Sequence, residues 1–221
     1  MRQAAILAER HGFEVRGFDA ADLDESAVAQ FLDATDDVLT RYPVIRVRRV
    51  EIGRAGQSRV VRIEPQGGAD DPPNWSVTLD GGVAAGPDPL GAVTRRRCRP
   101  GMDYERPLYA ATVREFGNAF DLAGGHRARD RAQRALIAEY LGGNEFRTTE
   151  LARVVAGYKR WRDQLSDNSF DQGRFDAAEA LADGFTEVML RQDAASEPSK
   201  ALCRLLVEHA RGGERAGKRE G

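Results

Sequence analysis

REFGNAFD, residues 114–121, sits inside PLYAATVREFGNAFDLAGG, a run whose apolar residues return every three or four positions. Ala110, Val113, Phe116 or Gly117, and Phe120 fall on one face of a helix, and Arg114, Asn118 and Asp121 fall on another, turned away from the core. Pro107 suits the first turn, and the Gly124-Gly125 pair ends the pattern. Gly117, with no side chain, lets a second backbone come close. Arg114 and Asn118 are four residues apart and therefore share a face.

Working outward, helical periodicity recurs at about residues 129–141, 148–164, 177–191 and 198–209, so the chain is mostly helical from residue 107 onward. Residues 212–221, with GGERAGKREG spanning the end, are expected to be a disordered tail. Upstream, residues 25–42 place Val28, Phe31, Leu32, Thr35, Val38 and Leu39 at helical spacing before Pro43. VIRVRRVEI, residues 44–52, largely alternates apolar with charged side chains, as a strand with one buried face does. SRVVRIE (58–64) and NWSVTL (74–79) are shorter strand candidates between turn-forming segments, which predicts a small mixed or antiparallel sheet. The expected class is α+β: one domain over residues 1–211, an α/β part to about 106 and a helical part from 107.

A length of 221 residues and 41% hydrophobic content suit such a domain. Lys and Arg number 33 against 35 Asp and Glu, a formal net charge of −2, which removes any global electrostatic case for nucleic acid or an anionic membrane. A local exception is TRRRCRPG, where Arg95, Arg96, Arg97 and Arg99 surround Cys98; this reads first as a solvated loop and second as a contact patch for phosphate or a partner. Cys98 and Cys203 lie far apart with no metal-type cluster, which fits a reduced intracellular protein better than a disulfide scaffold and leaves a single bridge open; the expected location is cytoplasmic. MRQAAILAERHGF has a short apolar patch broken by charge, too short for a signal peptide or a membrane span.

The motif at residues 114–121 resembles the HEFGHALD-type helix of the zincin metallopeptidases, with Arg114 and Asn118 in place of the two histidines. The stretch QLSDNSFDQGRFDAAEALADGFTEVMLRQDAASEPSKALCRLLVEHA resembles the second half of the same domains, in which a helix of the type EAxAEAFAD supplies an acidic third zinc ligand; the matching residue is Glu179. The likeness runs over about residues 107–209, and less specifically upstream, where a helix ends in Tyr-Pro before an alternating strand. This combination is similar to domains of actinobacterial and actinobacteriophage proteins that stand beside head-assembly or toxin modules.

The resemblance implies a zincin-like fold, with Glu115 at the general-base position and Arg114, Asn118 and Glu179 at the former metal-ligand positions. Guanidinium has no lone pair to give a metal and an amide oxygen is a poor match for zinc, so two of three ligands are lost and no metal or other cofactor is expected. His11, His126 and His209 read as ordinary or satisfied histidines rather than substitute ligands. Arg114 is then expected to take the metal's electrostatic part by bridging Glu115 and Glu179. DNSFDQGRFD has acids and an amide but not the spacing of a calcium loop, so it reads as an ordinary loop, with Asn168 where the family often has tyrosine, beside Ser169. Trp161, Phe170, Phe175 and Phe185 read as core.

Three functions follow from these features. The first is an inactive, metal-free zincin-like module for structure, assembly or recognition, with protein partners, cytoplasmic or virion-associated if phage-derived. The second is an active zinc peptidase with a non-standard site. The third is a nucleic-acid or capsid-contact module using Arg46, Arg48 and Arg49 with the patch at residues 95–99.

Overall fold

A computed structural model describes residues 2–56, 59–67, 74–86, 106–143 and 150–217, with side chains described to residue 212. The arginine patch at residues 95–99 and Cys98 lie outside the described residues. The chain is α+β, mostly helical with one small mixed sheet.

Helix α1 (Arg2–His11) opens the chain and strand β1 (Glu14–Arg16) follows it. Helix α2 (Glu25–Arg41) begins where Asp24 accepts a hydrogen bond from the Ala27 amide at 2.7 Å, and stops at Tyr42, just before Pro43. Strands β2 (Arg46–Gly53), β3 (Val61–Gln66) and β4 (Asn74–Asp80) complete a sheet of order β1-β2-β4-β3. β1, β2 and β4 are parallel, and β3 runs antiparallel on the outer edge. That edge place explains how Pro65 is tolerated within β3. β4 is covered on both faces: Trp75, Val77 and Leu79 are buried, and so are Ser76 and Thr78, which bond to Gln66 at 3.0 Å and Glu51 at 3.1 Å. A single turn, α3 (Gly81–Ala84), follows, capped by Asp80.

The second half holds α4 (Pro107–Ala123), α5 (Arg127–Gly143), α6 (Leu151–Arg162), α7 (Ala177–Arg191) and α8 (Glu197–Gly217). α4 packs against α2, β3, α7 and α8, which buries nearly its whole circumference. Its apolar face joins Phe31, Val50, Val77 and Leu79 of the first half to Phe185, Leu202 and Leu206 of the second in one hydrophobic core. Tyr42, Phe120 and Phe185 form the aromatic centre, with ring centroids 6.4, 5.4 and 5.3 Å apart.

Several expectations need correction. Asp121 does not face away from the core: it is 3% exposed, paired with His126 at 2.8 Å and with Arg129. Residues 167–176 are more ordered than an ordinary loop. They form a 3-10 turn and a hairpin of β5 (Phe170–Asp171) and β6 (Arg174–Phe175), whose two turn residues, Gln172 and Gly173, both have positive φ as a tight hairpin requires. α8 continues through the Gly212-Gly213 pair to Gly217, well past the end expected at residue 209 and into the segment read as a tail. Phe185 is core as expected, but Phe170, Phe175 and Trp161 are only partly buried, Trp161 against Tyr140 and Tyr158. Among the described residues, no helix is long and apolar enough to cross a membrane.

Candidate functional site

The site lies where α4 crosses α7. Gly117 sets the distance, since a Cβ built on it would come within 3.2 Å of the Ala182 Cα, so the missing side chain is what lets the two helices meet. One turn before Gly117, Arg114 projects toward α7, and its Nε donates to Asp183 Oδ1 at 2.8 Å while its second nitrogen pairs with Glu179 Oε2. Glu179 and Asp183 are four residues apart on α7 and so present their carboxylates on one face. α7 itself is fixed at its start by Asp176, which accepts from the Ala178 and Glu179 amides at 2.9 and 3.2 Å.

The two arms of the fork differ. Asp183 is 9% exposed along its side chain and Arg114 17%, whereas Glu179 is 45% exposed, so the Asp183 arm is the buried interaction and the Glu179 arm is largely screened. The second oxygen of Asp183 accepts from Ser166 Oγ at 2.5 Å and from Asn168 Nδ2 at 3.3 Å. Ser166 and Ser169 are buried, and their hydroxyl oxygens lie 3.1 Å apart. Burial works against the charge on Arg114, but Asp183 first, then Glu179, with the least from Glu115, outweigh it and hold the guanidinium above its ordinary pKa.

Five sequence-marked positions take these places. Arg114 and Glu179 are brought together, as expected. Glu115 is half-buried, acts on Arg114 only through its charge, and is not the second bridged carboxylate; Asp183 is. Asn118, one turn beyond Arg114, is half-exposed. Asn168 is not simply a missing tyrosine, because its amide supports Asp183. Sequence reasoning passed over Asp183 and Ser166, although the four-residue interval from Glu179 within EALAD was a usable signal for the first.

The residues present do not fit the zinc ion that the resemblance implies. A permanently protonated guanidinium stands between the carboxylates where a cation would be coordinated. Among the described residues, no group of three or more His, Cys, Asp or Glu is arranged to hold a metal ion.

No family model, curated protein or solved structure matches the chain.

The histidines take other places. His11 bonds Asp36 at 2.7 Å and His126 bonds Asp121 at 2.8 Å, both away from Arg114, and His209 lies on α8. Arg46 and Arg48 are exposed on β2, and Arg49 is half-buried with its Nε unpartnered.

Proposed function

We propose that the chain is a catalytically inactive, metal-free zincin-like domain that acts as a structural, assembly or recognition module. The observation that carries this reading is the place of Arg114. Its guanidinium ties Glu179 and Asp183 of α7 to α4, so the cation joining the two helices is a side chain rather than a metal. A peptidase of this kind needs a metal-bound water and a base beside it. Glu115 keeps the base position, but the ligand positions Arg114 and Asn118 offer neither imidazole, thiolate nor carboxylate. Binding to a protein partner then remains as the use of the scaffold, since a fold outlasts the chemistry once done on it.

The test is elemental mass spectrometry for zinc on the purified protein and on the double variant Arg114→His/Asn118→His. The parent is expected to carry no zinc and the variant about one equivalent, held by the two introduced imidazoles and Glu179. Stoichiometric zinc in the parent overturns the reading.

A further inference from the structure

A second concavity lies away from the α4–α7 crossing. It is a cavity of about 850 Å³ between the C-terminal ends of α2 and α7 and the outer face of α8, a volume in the range of small-molecule sites. Lys200, Arg204, Val207 and Arg211 line it at intervals of four, three and four residues, so they form one stripe along α8. Arg41, at the last turn of α2, lines the same cavity, as do Tyr42 and Val188.

The charges are not evenly spread. Arg204 is paired with Glu139 at 2.6 Å and Lys200 with Glu197 at 2.9 Å, both glutamates outside the cavity lining. Among the described residues, no carboxylate pairs with Arg41 or Arg211. The cavity's own carboxylates, Asp193 and Glu208, are exposed. At the Tyr42 hydroxyl the charged side chains that act are Arg41 and Arg211, and at the Cys203 thiol they are Arg204 and Arg41. The lining thus carries four basic side chains, Arg41, Lys200, Arg204 and Arg211, against two acidic ones, Asp193 and Glu208. Burial, with Cys203, pushes the Tyr42 hydroxyl up to about 12, so it stays protonated at neutral pH and can donate to an oxyanion.

We infer that this cavity binds a small organic phosphate monoester, its phosphate between Arg41 and Arg211 and its apolar body against Val188 and Val207. Phosphate suits two guanidinium groups that no described carboxylate pairs with, because a monoester carries nearly two negative charges at neutral pH and accepts forked hydrogen bonds. The apolar lining distinguishes this site from a bare anion contact.

Calorimetric titration with phenyl phosphate tests it, with phenol and inorganic phosphate as parallel probes, on the parent and on Arg41→Gln and Arg211→Gln. Both arginines are exposed, and unchanged circular dichroism will show that the variants fold. Phenyl phosphate is expected to bind more tightly than either parallel probe, and each variant to weaken it roughly tenfold or more, the scale of a lost charge-assisted contact. No binding of phenyl phosphate by the parent, or undiminished binding by either variant, overturns the inference. Inorganic phosphate binding as tightly as phenyl phosphate overturns it too, since the apolar wall would then contribute nothing.

Discussion

Replacing Arg114 by alanine is the most direct perturbation of the α4–α7 tie. Removing one partner of a buried ion pair costs about 3–5 kcal/mol, because the other charge is left in low dielectric without compensation. Here the lower end applies. Asp183 keeps its contacts from Ser166 and Asn168, and Glu179, 45% exposed, is solvated by water once the guanidinium is gone. The expected loss is about 3 kcal/mol, which for a chain of this size lowers Tm by roughly 6–12 °C. Urea unfolding followed by circular dichroism, with a thermal scan beside it, reads both quantities. The Asp183→Ala variant and the double variant complete a cycle, and the double variant should be less destabilised than the two single losses added, by about 1–3 kcal/mol. Glu179→Gln should cost under about 1 kcal/mol. A fall in Tm of less than about 2 °C for Arg114→Ala, or strict additivity with Asp183→Ala, refutes the reasoning.

Gly117→Ala should lower Tm by several degrees in the same scan although alanine favours helix by about 1 kcal/mol, since its Cβ meets the Ala182 Cα at 3.2 Å and overpacking costs roughly 1–3 kcal/mol. Burial alone would raise the Asp36 carboxyl, but hydrogen bonds from His11 and Arg10 and their charges bring it below its ordinary value. A lowered folded value contributes stability above the unfolded value near pH 4 and loses it as pH falls through the folded one, so Asp36→Asn should cost up to about 1 kcal/mol at pH 7 in urea and much less at pH 3. Burial pushes the Cys203 thiol up, so in a Cys98→Ser background a disulfide reagent at mild alkaline pH should label the folded protein slowly and the urea-unfolded protein fully.

What was legible in the sequence was what repeats. α2, β2, β4 and α4 announce themselves because each carries enough apolar positions at one period to define a face. α1 was read only as an apolar patch: two of its residues, Ala4 and Leu7, are buried, and it is held by Gln3 on Asp33 and by Arg10 and His11 on Asp36, partners that lie on α2. β1 is three residues long and has one apolar pair, Val15 opposite Val50, so its strandness comes from β2. Asp121 went wrong for a related reason. A polar residue on a helix was assigned to solvent, whereas His126, held at φ 59 just past the Gly124-Gly125 pair, and Arg129 on the next helix compensate its burial. In the candidate site Arg114 and Glu179 were legible through the family likeness. Asp183 was not, because that comparison looked for metal ligands and the residue that matters here is the one opposite a guanidinium.

On the reading proposed above, in which a guanidinium stands where a metal would, an energetic consequence follows for the Arg114→His/Asn118→His variant. In Arg114→His/Asn118→His without zinc, Asp183 loses its Nε donor just as it does in Arg114→Ala, so the metal-free variant should start about 3 kcal/mol below the parent. Zinc bound to the folded state alone returns about 4 kcal/mol when its free concentration is about a thousandfold above Kd. Zinc should therefore raise the Tm of the variant by roughly 8–16 °C and leave the parent unchanged, bringing the loaded variant close to the parent. The two ties are alternative ways of joining α4 to α7, because an arginine at 114 does so without a cofactor, whereas histidines at 114 and 118 do so only in the presence of the ion. If zinc binds the variant but its metal-free form is as stable as the parent, Arg114 is not the tie, and the place of the guanidinium between Glu179 and Asp183 is a consequence of the fold rather than one of its causes.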